Sequence, residues 1–288
     1  MSLLACLLLL WVAAALKPQE EEEVMRALHS NGSWMSSAAR IFATLVLASC
    51  TSVGLAWADD DDDDDGYEIP FTEAQVLLQL NDTDGDLGFH ARIDGEPWTR
   101  LYIEDPREKT LLKLHLKGRL KRQGLTEFAF ESAEPTFDEL DPKVFFKRFP
   151  EGEYEIEGRA LEGGEMESTS VLSHVIPAAP ANLMVSGEPA PEDCDGDIPV
   201  ASDPIVISWD PVESSHADLG KPGDIEVDSY EVAIEGETID ITLDVEGDVT
   251  EVELAPWTIP AGEEVKYQVL VREGRGNESS SESCFIAP

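Results

Sequence analysis

Hydrophobic and polar residues alternate in short runs along most of the chain from Gly66 onward. No long segment repeats its apolar residues with the period of a helix. Such runs, separated by Asp-Gly, Asp-Pro and Gly-Gly turns, predict the strands of an all-β sandwich or barrel. In the first half, strands are predicted at 74–80, 89–93, 100–103, 111–116, 127–131, 154–160 and 168–174. Residues 132–146 are less regular, which predicts a short helix or a long crossover.

One turn in the first half matches a known structural motif. Pro150-Glu-Gly-Glu-Tyr154 leads into an alternating strand. This is similar to the tyrosine corner of immunoglobulin-like sandwiches, in which the Tyr hydroxyl bonds to the backbone a few residues upstream. The resemblance implies an immunoglobulin-like sandwich over residues 67–178.

The second half, residues 179–288, carries a fuller series of matches in the expected order. They are a Pro-rich entry and first strand at 177–185, a second strand at 205–211 with Trp209 as the core Trp, a third strand at 227–234, a turn at 259–262 followed by Tyr267 as the corner Tyr, and a last strand at 284–287. This series resembles a fibronectin type III domain. The predicted fold class is therefore all-β, with two tandem immunoglobulin-like/fibronectin type III-like β-sandwiches after a signal peptide and an acidic linker.

Residues 35–58 have the features of a signal peptide. Arg40 supplies a positive charge, residues 41–48 are apolar, and Ala56-Trp-Ala58 is an A-x-A cleavage site. Leu47-Ala-Ser-Cys50 also resembles the lipobox of bacterial lipoproteins, which implies lipidation of Cys50. Lipidation of Cys50 and cleavage after Ala58 are alternatives. Either one predicts an extracytoplasmic location: the periplasm, the outer membrane or the secreted fraction.

Two segments flank this signal peptide. Residues 1–34 include an apolar run at 3–16 with no basic residue before it. They are interpreted either as a gene-model extension upstream of a start at Met35 or as an extra apolar leader that anchors the chain. The seven consecutive aspartates at 59–65 repel one another, which predicts an unfolded linker over 59–66.

The charge balance is strongly acidic, with 20 basic and 60 acidic residues. It argues against nucleic acid as a partner, because phosphate binding needs clustered Lys and Arg. Residues 67–178 hold 23 acids and 13 bases, a net of −10, whereas residues 179–288 hold 26 acids and 4 bases, a net of −22. The expected partners are protein or glycan at the cell surface, with the membrane reached only through a leader or a lipid anchor.

The chain has one basic cluster. Its members are Lys113, His115, Lys117, Arg119, Lys121 and Arg122. The first three alternate with Leu112, Leu114 and Leu116, so a strand would turn the leucines inward and the basic residues outward. The cluster is interpreted as a contact for an anionic partner or, alternatively, as an ordinary solvated strand face.

Two similar acidic stretches suggest calcium. Three carboxylates lie at alternate positions in each, and calcium binds several hard oxygens. The residues are Asp82, Asp84 and Asp86 in the first stretch and Asp193, Asp195 and Asp197 in the second. Leu87 and Ile93 stand where an EF-hand needs Gly and Glu, so neither stretch is an EF-hand. The simpler alternative is an Asp-Gly turn, and no other cofactor is expected.

Cys194 and Cys284 form an even pair in the second half. In an oxidising compartment they predict one disulfide, with two free buried thiols as the alternative.

The sequence favours a non-catalytic binding or structural module that contacts a protein or glycan through β-sandwich loops. There is no P-loop, no Gly-x-Ser-x-Gly and no metal-ligand spacing among the five histidines. One alternative is an accessory module of an extracellular carbohydrate-active system. That role needs a row of exposed aromatics, to which Trp98 could contribute, whereas Trp257 is predicted to be core. A hydrolase with a site between the domains is the other alternative.

Overall fold

The computed structural model describes residues 68–191, 194 and 196–288. They belong to Asp64–Pro288, one of the two compact units into which the chain divides. The predictions for residues 1–34, the signal peptide 35–58, Cys50, the Asp run, Asp193 and Asp195 lie outside the described residues. Within the described ranges, no helix is long and apolar enough to cross a membrane.

The first half of the described chain contains six strands and two short helices. The strands are β1 (Glu73–Asn81), β2 (Asp86–Glu104), β3 (Thr110–His115), β4 (Leu125–Glu131), β5 (Gly152–Ala160) and β6 (Glu165–Leu172), and the helices are α1 (Gly118–Gln123) and α2 (Pro142–Arg148). Helix α2 overlaps the end of the irregular segment 132–146 and extends to Arg148. It begins where the Asp141 side chain accepts a hydrogen bond from the Lys143 backbone N–H at 2.8 Å. The alternating pattern does not predict α1.

Strand β2 is 19 residues long and forms the corner of the first half. Its first part pairs with β1 and β4, and its second part pairs with β5 and β3. The register shifts between Asp94 and Trp98, where the strand passes from one layer to the other. The prediction of separate strands at 89–93 and 100–103 is therefore wrong, because Gly95-Glu-Pro97 bends the strand without ending it.

The sheet of the first half returns on itself around a single core. Ile69 forms a parallel bridge with Met166, which brings the chain before β1 next to β6. The largest buried side chains of the core are Trp98, Tyr154 and Phe89. The Tyr154 hydroxyl donates to the Pro150 carbonyl at 3.0 Å, which confirms the tyrosine corner.

The second half divides its strands between two sheets. The strands are β7 (Met184–Val185), β8 (Glu188–Pro189), β9 (Ile205–Ser208), β10 (Val227–Gly236), β11 (Asp240–Glu246), β12 (Glu251–Leu254), β13 (Glu264–Glu273) and β14 (Glu278–Ile286). One sheet has the order β12-β9-β7-β8, and β11-β10-β13-β14 lie together in the other. This is the division expected of a fibronectin type III-like sandwich, and Trp209 is in its core.

The second half departs from the expected pattern at its own corner. Tyr267 is buried, but its hydroxyl makes no hydrogen bond to upstream backbone within the described residues. The Tyr230 hydroxyl instead accepts a hydrogen bond from the Val212 backbone N–H at 2.9 Å. The corner role predicted for Tyr267 is therefore wrong, and the extra residues between Gly262 and Tyr267 account for the difference.

The two halves share one sheet of ten strands. Strand β1 pairs in parallel with β14, with Gln79 opposite Glu278 and Asn81 opposite Ser280. Glu278 is fully buried at this seam and accepts hydrogen bonds from Arg92 at 3.0 Å and from Arg272 at 2.8 Å. A buried carboxylate of this kind needs such partners. The seam is thus held by backbone pairing and by a charge network.

A disulfide joins Cys194 to Cys284, as predicted. Their Cα atoms are 6.0 Å apart, within the usual range, and they are 90 residues apart in sequence. The bond ties the segment between β8 and β9 to β14. Val200 also forms a parallel bridge with Ile286, so this segment follows the edge of the last strand.

Candidate functional site

The basic cluster lies on β3, on α1 and in the residues that join them. In β3, Lys113 and His115 are exposed, as are Thr110 and Leu111 at its start, and Leu112 and Leu114 are half-buried against the core. Leu116 is buried and Lys117 is exposed. The predicted inward and outward alternation is therefore confirmed, because β3 covers the core with one face only.

Helix α1 extends the cluster beyond the sheet. It has no buried residue, and Lys121 and Arg122 lie in its last turn, where positive charge is favourable. It ends at Gly124, whose φ of 78° suits glycine. Leu120 lies among the basic side chains and is 44% exposed. All six predicted basic residues are thus exposed on one continuous stretch of surface.

Two residues that the sequence pattern did not indicate complete this surface. Arg100 and Tyr102 on β2 lie opposite His115 and Lys113 on β3. The Tyr102 hydroxyl is 2.5 Å from His115 Nε2, and Lys113 Nζ is 4.9 Å from the centroid of the Tyr102 ring. The β2–β3 register places Arg100 and Tyr102 beside the basic cluster, and this register follows from the hairpin turn at Asp105-Pro106. We call Arg100, Tyr102 and the six predicted residues the basic surface.

The Lys and Arg side chains of the basic surface form no ion pairs within the described part of the chain. Within the described part of the chain, none of its Lys or Arg side chains lies within 4.0 Å of a carboxylate oxygen. Desolvation, followed by the charges of Lys113, Arg100 and Lys117, holds the pKa of His115 below its ordinary value. The imidazole is therefore neutral at pH 7, and the positive charge comes from Lys and Arg.

The same sheet face becomes acidic across β5 and β6. The exposed residues there are Glu153, Glu155, Glu157, Glu165 and Glu167. The charges of Glu68, Glu157 and Glu155 contribute to a pKa of Glu167 above its ordinary value. Neighbouring strands are about 4.8 Å apart, so the change of sign occurs within about 10 Å.

The first predicted calcium stretch forms the turn between β1 and β2. The Asn81 side chain accepts hydrogen bonds from the backbone of Thr83 and Asp84, at 3.1 and 3.3 Å. Asp82 Oδ1 is 3.1 Å from His216 Nε2. Asp197 is exposed elsewhere. No group of three or more metal-ligating side chains with suitable geometry occurs in the residues that the structure describes. Calcium therefore remains a prediction.

Asp86 belongs to a carboxylate cluster that the sequence did not indicate. Burial, then the charges of Glu134, Asp84 and Glu282, raises the pKa of Asp86 to about 6. Its Oδ1 atom is buried without a hydrogen-bond partner within the described residues. Glu134 and Glu282 come from distant segments, so only the folded topology brings these acids together.

The aromatic residues do not form a carbohydrate-binding row in the described part of the chain. Trp98 and Trp209 are buried, as are Tyr154, Tyr230 and Tyr267. Trp257 is 85% exposed, so the prediction that it is core is wrong. It lies in a turn after β12 and has no stacking partner among the described residues.

A groove of about 620 Å³ lies between the halves, beside the seam. It is lined by Asp82, Thr83, Ser281, Glu282 and mostly apolar residues from 179–183 and 189–191. Asp82 and Glu282 both have partners, His216 and Asn81. Within the described residues, neither carboxylate accepts a hydrogen bond from the hydroxyl of Thr83 or Ser281, so neither activates a nucleophile there.

Comparisons with known proteins give structural likeness only. No protein-family model and no curated protein matches the sequence. A two-domain fibronectin type III segment of chicken tenascin is 14% identical with a TM-score of 0.28, and the match covers 75% of this chain and 98% of that one. The FN1–FN3 domains of chicken CNTN1 are 12% identical with a TM-score of 0.30, covering 76% and 64%. A cytokine receptor complex is 12% identical with a TM-score of 0.24, covering 73% and 95%. The fold assignment accordingly rests on the strand order.

Proposed function

We propose that this protein is a non-catalytic, extracytoplasmic binding module that holds an anionic protein or glycan on its basic surface. The observation that carries the proposal is this surface itself. A chain with a formal net charge of −40 concentrates five exposed Lys and Arg side chains, together with His115, on β3, α1 and their junction. Clustered charge of one sign on a background of the other raises the local concentration of a complementary partner.

The disulfide supports the extracytoplasmic part of the proposal, because such bonds persist mainly in oxidising compartments. The predicted signal peptide and the alternatives at Cys50 and Ala58 agree with it. The chain is proposed to act in the periplasm, at the outer membrane or after secretion.

A carbohydrate-accessory role has less support from the described residues. Stacking on sugar rings needs several exposed aromatics on one face, and Trp257 stands alone. A hydrolase has less support too, because the groove at the seam offers no nucleophile with an adjacent base.

Binding of a model polyanion tests the proposal. Dextran sulfate, with neutral dextran as the reference, is titrated against the protein in solutions of rising salt. We expect binding of dextran sulfate alone, with an affinity that falls steeply as salt rises. A triple charge reversal, Lys113→Glu, Lys117→Glu and Lys121→Glu, is expected to lower the affinity by more than about tenfold.

A matched triple reversal separates the basic surface from net charge. Lys143→Glu, Lys147→Glu and Arg148→Glu change the same number of exposed charges, but on α2. We expect this variant to lose only about twofold in affinity, through the long-range field. Equal losses in the two variants, or no binding by the unaltered protein, contradict the proposal.

A further inference from the structure

Strand β3 has an open edge. It pairs with β2 and with no other strand in the described part of the chain. The Leu116 backbone N–H donates to the Thr99 carbonyl at 3.0 Å, so the backbone groups of Leu116 face β2. In an antiparallel pair, alternate residues direct their N–H and C=O groups to the same side. The backbone groups of Leu114 therefore face β2, and those of Lys113 and His115 face away from it.

The side chains beside this edge distinguish it from the other open edges. Apart from the two-residue β8, the strands with a single partner strand among the described residues are β3, β4, β6, β11 and β12. The last four present acids at exposed positions: Glu127 and Glu131 on β4, Glu165 and Glu167 on β6, Asp240, Asp244 and Glu246 on β11, and Glu251 and Glu253 on β12. An acidic edge repels an acidic incoming strand, because like charges directly opposite each other are destabilising. Edges of the same negative sign also repel one another.

Lys113 and His115 combine two functions at one place. Their backbone N–H and C=O groups are available at the edge, and their side chains lie on the outer face beside Tyr102. A strand added at this edge would place every second side chain directly opposite Lys113 and His115. Acidic residues at those positions would meet Lys113, Lys117 and Arg100.

We propose that β3 accepts an extended acidic segment of a partner protein as an additional antiparallel strand. The proposal rests on the proposed function and gives it a recognition mode, in which backbone hydrogen bonds supply affinity and alternate acidic side chains supply specificity. A second copy of the chain is a poorer occupant, because copies that each carry a net charge of −40 repel one another.

The first test uses peptides on the unaltered protein. The probe is an end-capped octapeptide of alternating Glu and Thr. With each Glu opposite a basic residue of β3, the Glu N–H groups face β3 and the Thr N–H groups face solvent. N-methylation of the Glu residues is therefore expected to weaken binding at least about tenfold, whereas N-methylation of the Thr residues changes it less than about twofold.

The second test removes a donor from β3. His115→Pro deletes an N–H that β2 does not use, and His115→Thr deletes the same imidazole but keeps that N–H. We expect the Pro variant to bind the peptide at least about tenfold more weakly than the Thr variant. The two variants are expected to bind dextran sulfate equally.

The outcomes separate the two proposals. If both N-methylated peptides bind alike, or the Pro and Thr variants bind the peptide alike, then strand addition is wrong and binding by charge stands. If the unaltered protein binds neither peptide nor dextran sulfate, the proposed function itself fails. Circular dichroism verifies that the variants fold, and the N-methylated peptides decide the matter if His115→Pro does not. Self-association of the free protein through β3 would also overturn the proposal.

Discussion

The two halves of the described chain each enclose a hydrophobic core but differ in surface charge. The first half carries the basic surface and has a sequence net charge of −10 over residues 67–178, whereas residues 179–288 reach −22 with only four basic residues. Two of those four, Arg272 and Arg275, are committed to ion pairs with Glu278 and Glu273. Within the described residues, the second half therefore has few basic side chains outside ion pairs, whereas the Lys and Arg side chains of the basic surface lie outside any ion pair.

Removing the disulfide, which lies within the second half, should cause the largest loss of stability. With Cys194→Ala and Cys284→Ala together, the chain-entropy model predicts a loss of roughly 4–5 kcal/mol in the free energy of unfolding. Thermal unfolding followed by tryptophan fluorescence measures it. The unaltered protein under reducing conditions is the control and should lose a similar amount. A loss below about 1 kcal/mol would show that the bond does not constrain the unfolded chain.

Glu278→Gln should destabilise the seam between the halves. The change leaves Arg92 and Arg272 without their shared buried carboxylate, at a cost of about 3 kcal/mol. Chemical denaturation measures the loss. The control Glu282→Gln alters a more exposed acid on the same strand and should cost less than about 1 kcal/mol. Equal effects would mean that the network does not hold the seam.

The two buried tyrosines at corresponding positions should respond differently to loss of the hydroxyl. Tyr154→Phe leaves the Pro150 carbonyl without its hydrogen-bond donor and should cost about 1.5 kcal/mol in the free energy of unfolding. Tyr267→Phe removes a buried hydroxyl without a partner among the described residues and should be neutral or slightly stabilising. Urea denaturation of both variants checks the pair. A larger loss for Tyr267→Phe would reverse the assignment of the corner.

The smallest effect concerns pH. The pKa of Asp86 is raised to about 6 in the folded protein, so the folded state binds more protons than the unfolded state between about pH 4 and pH 6. Its contribution to stability therefore increases as pH falls through 6. After discounting for solvent exposure, Asp86→Asn should stabilise the protein at pH 7 by about 1 kcal/mol. Urea denaturation at pH 7 and pH 5 tests this, and an equal gain at both pH values would contradict it.

Local patterns predicted much of this fold. The alternation of Leu112 and Leu114 with Lys113 gives the correct faces of β3, and the segment around Trp209 gives the correct core strand. These predictions succeed because period-two alternation directly records which face is buried.

Local patterns did not predict other features, because these depend on how the strands pair and pack in the folded chain. Nothing local at Gln79 or Glu278 indicates that β1 and β14 pair in parallel. Arg100 joins the basic surface through the register of the β2–β3 hairpin, which the alternating pattern of a single strand does not show. Trp257 is exposed although large apolar residues are usually buried. Residue type alone does not show which turn leaves its aromatic side chain exposed to solvent.

The pairing of β1 with β14 has a consequence for the order in which the fold is made. Gln79 lies opposite Glu278, which is 199 positions later in the sequence, so the open side of β1 can be paired only after β14 has been made. During synthesis from the N-terminus, the first half is completed while that edge of β1 is still bare. The backbone on that edge must remain unpaired until β14 emerges. The pairing that joins the two halves of the ten-stranded sheet therefore depends on β14, the final strand of the described chain.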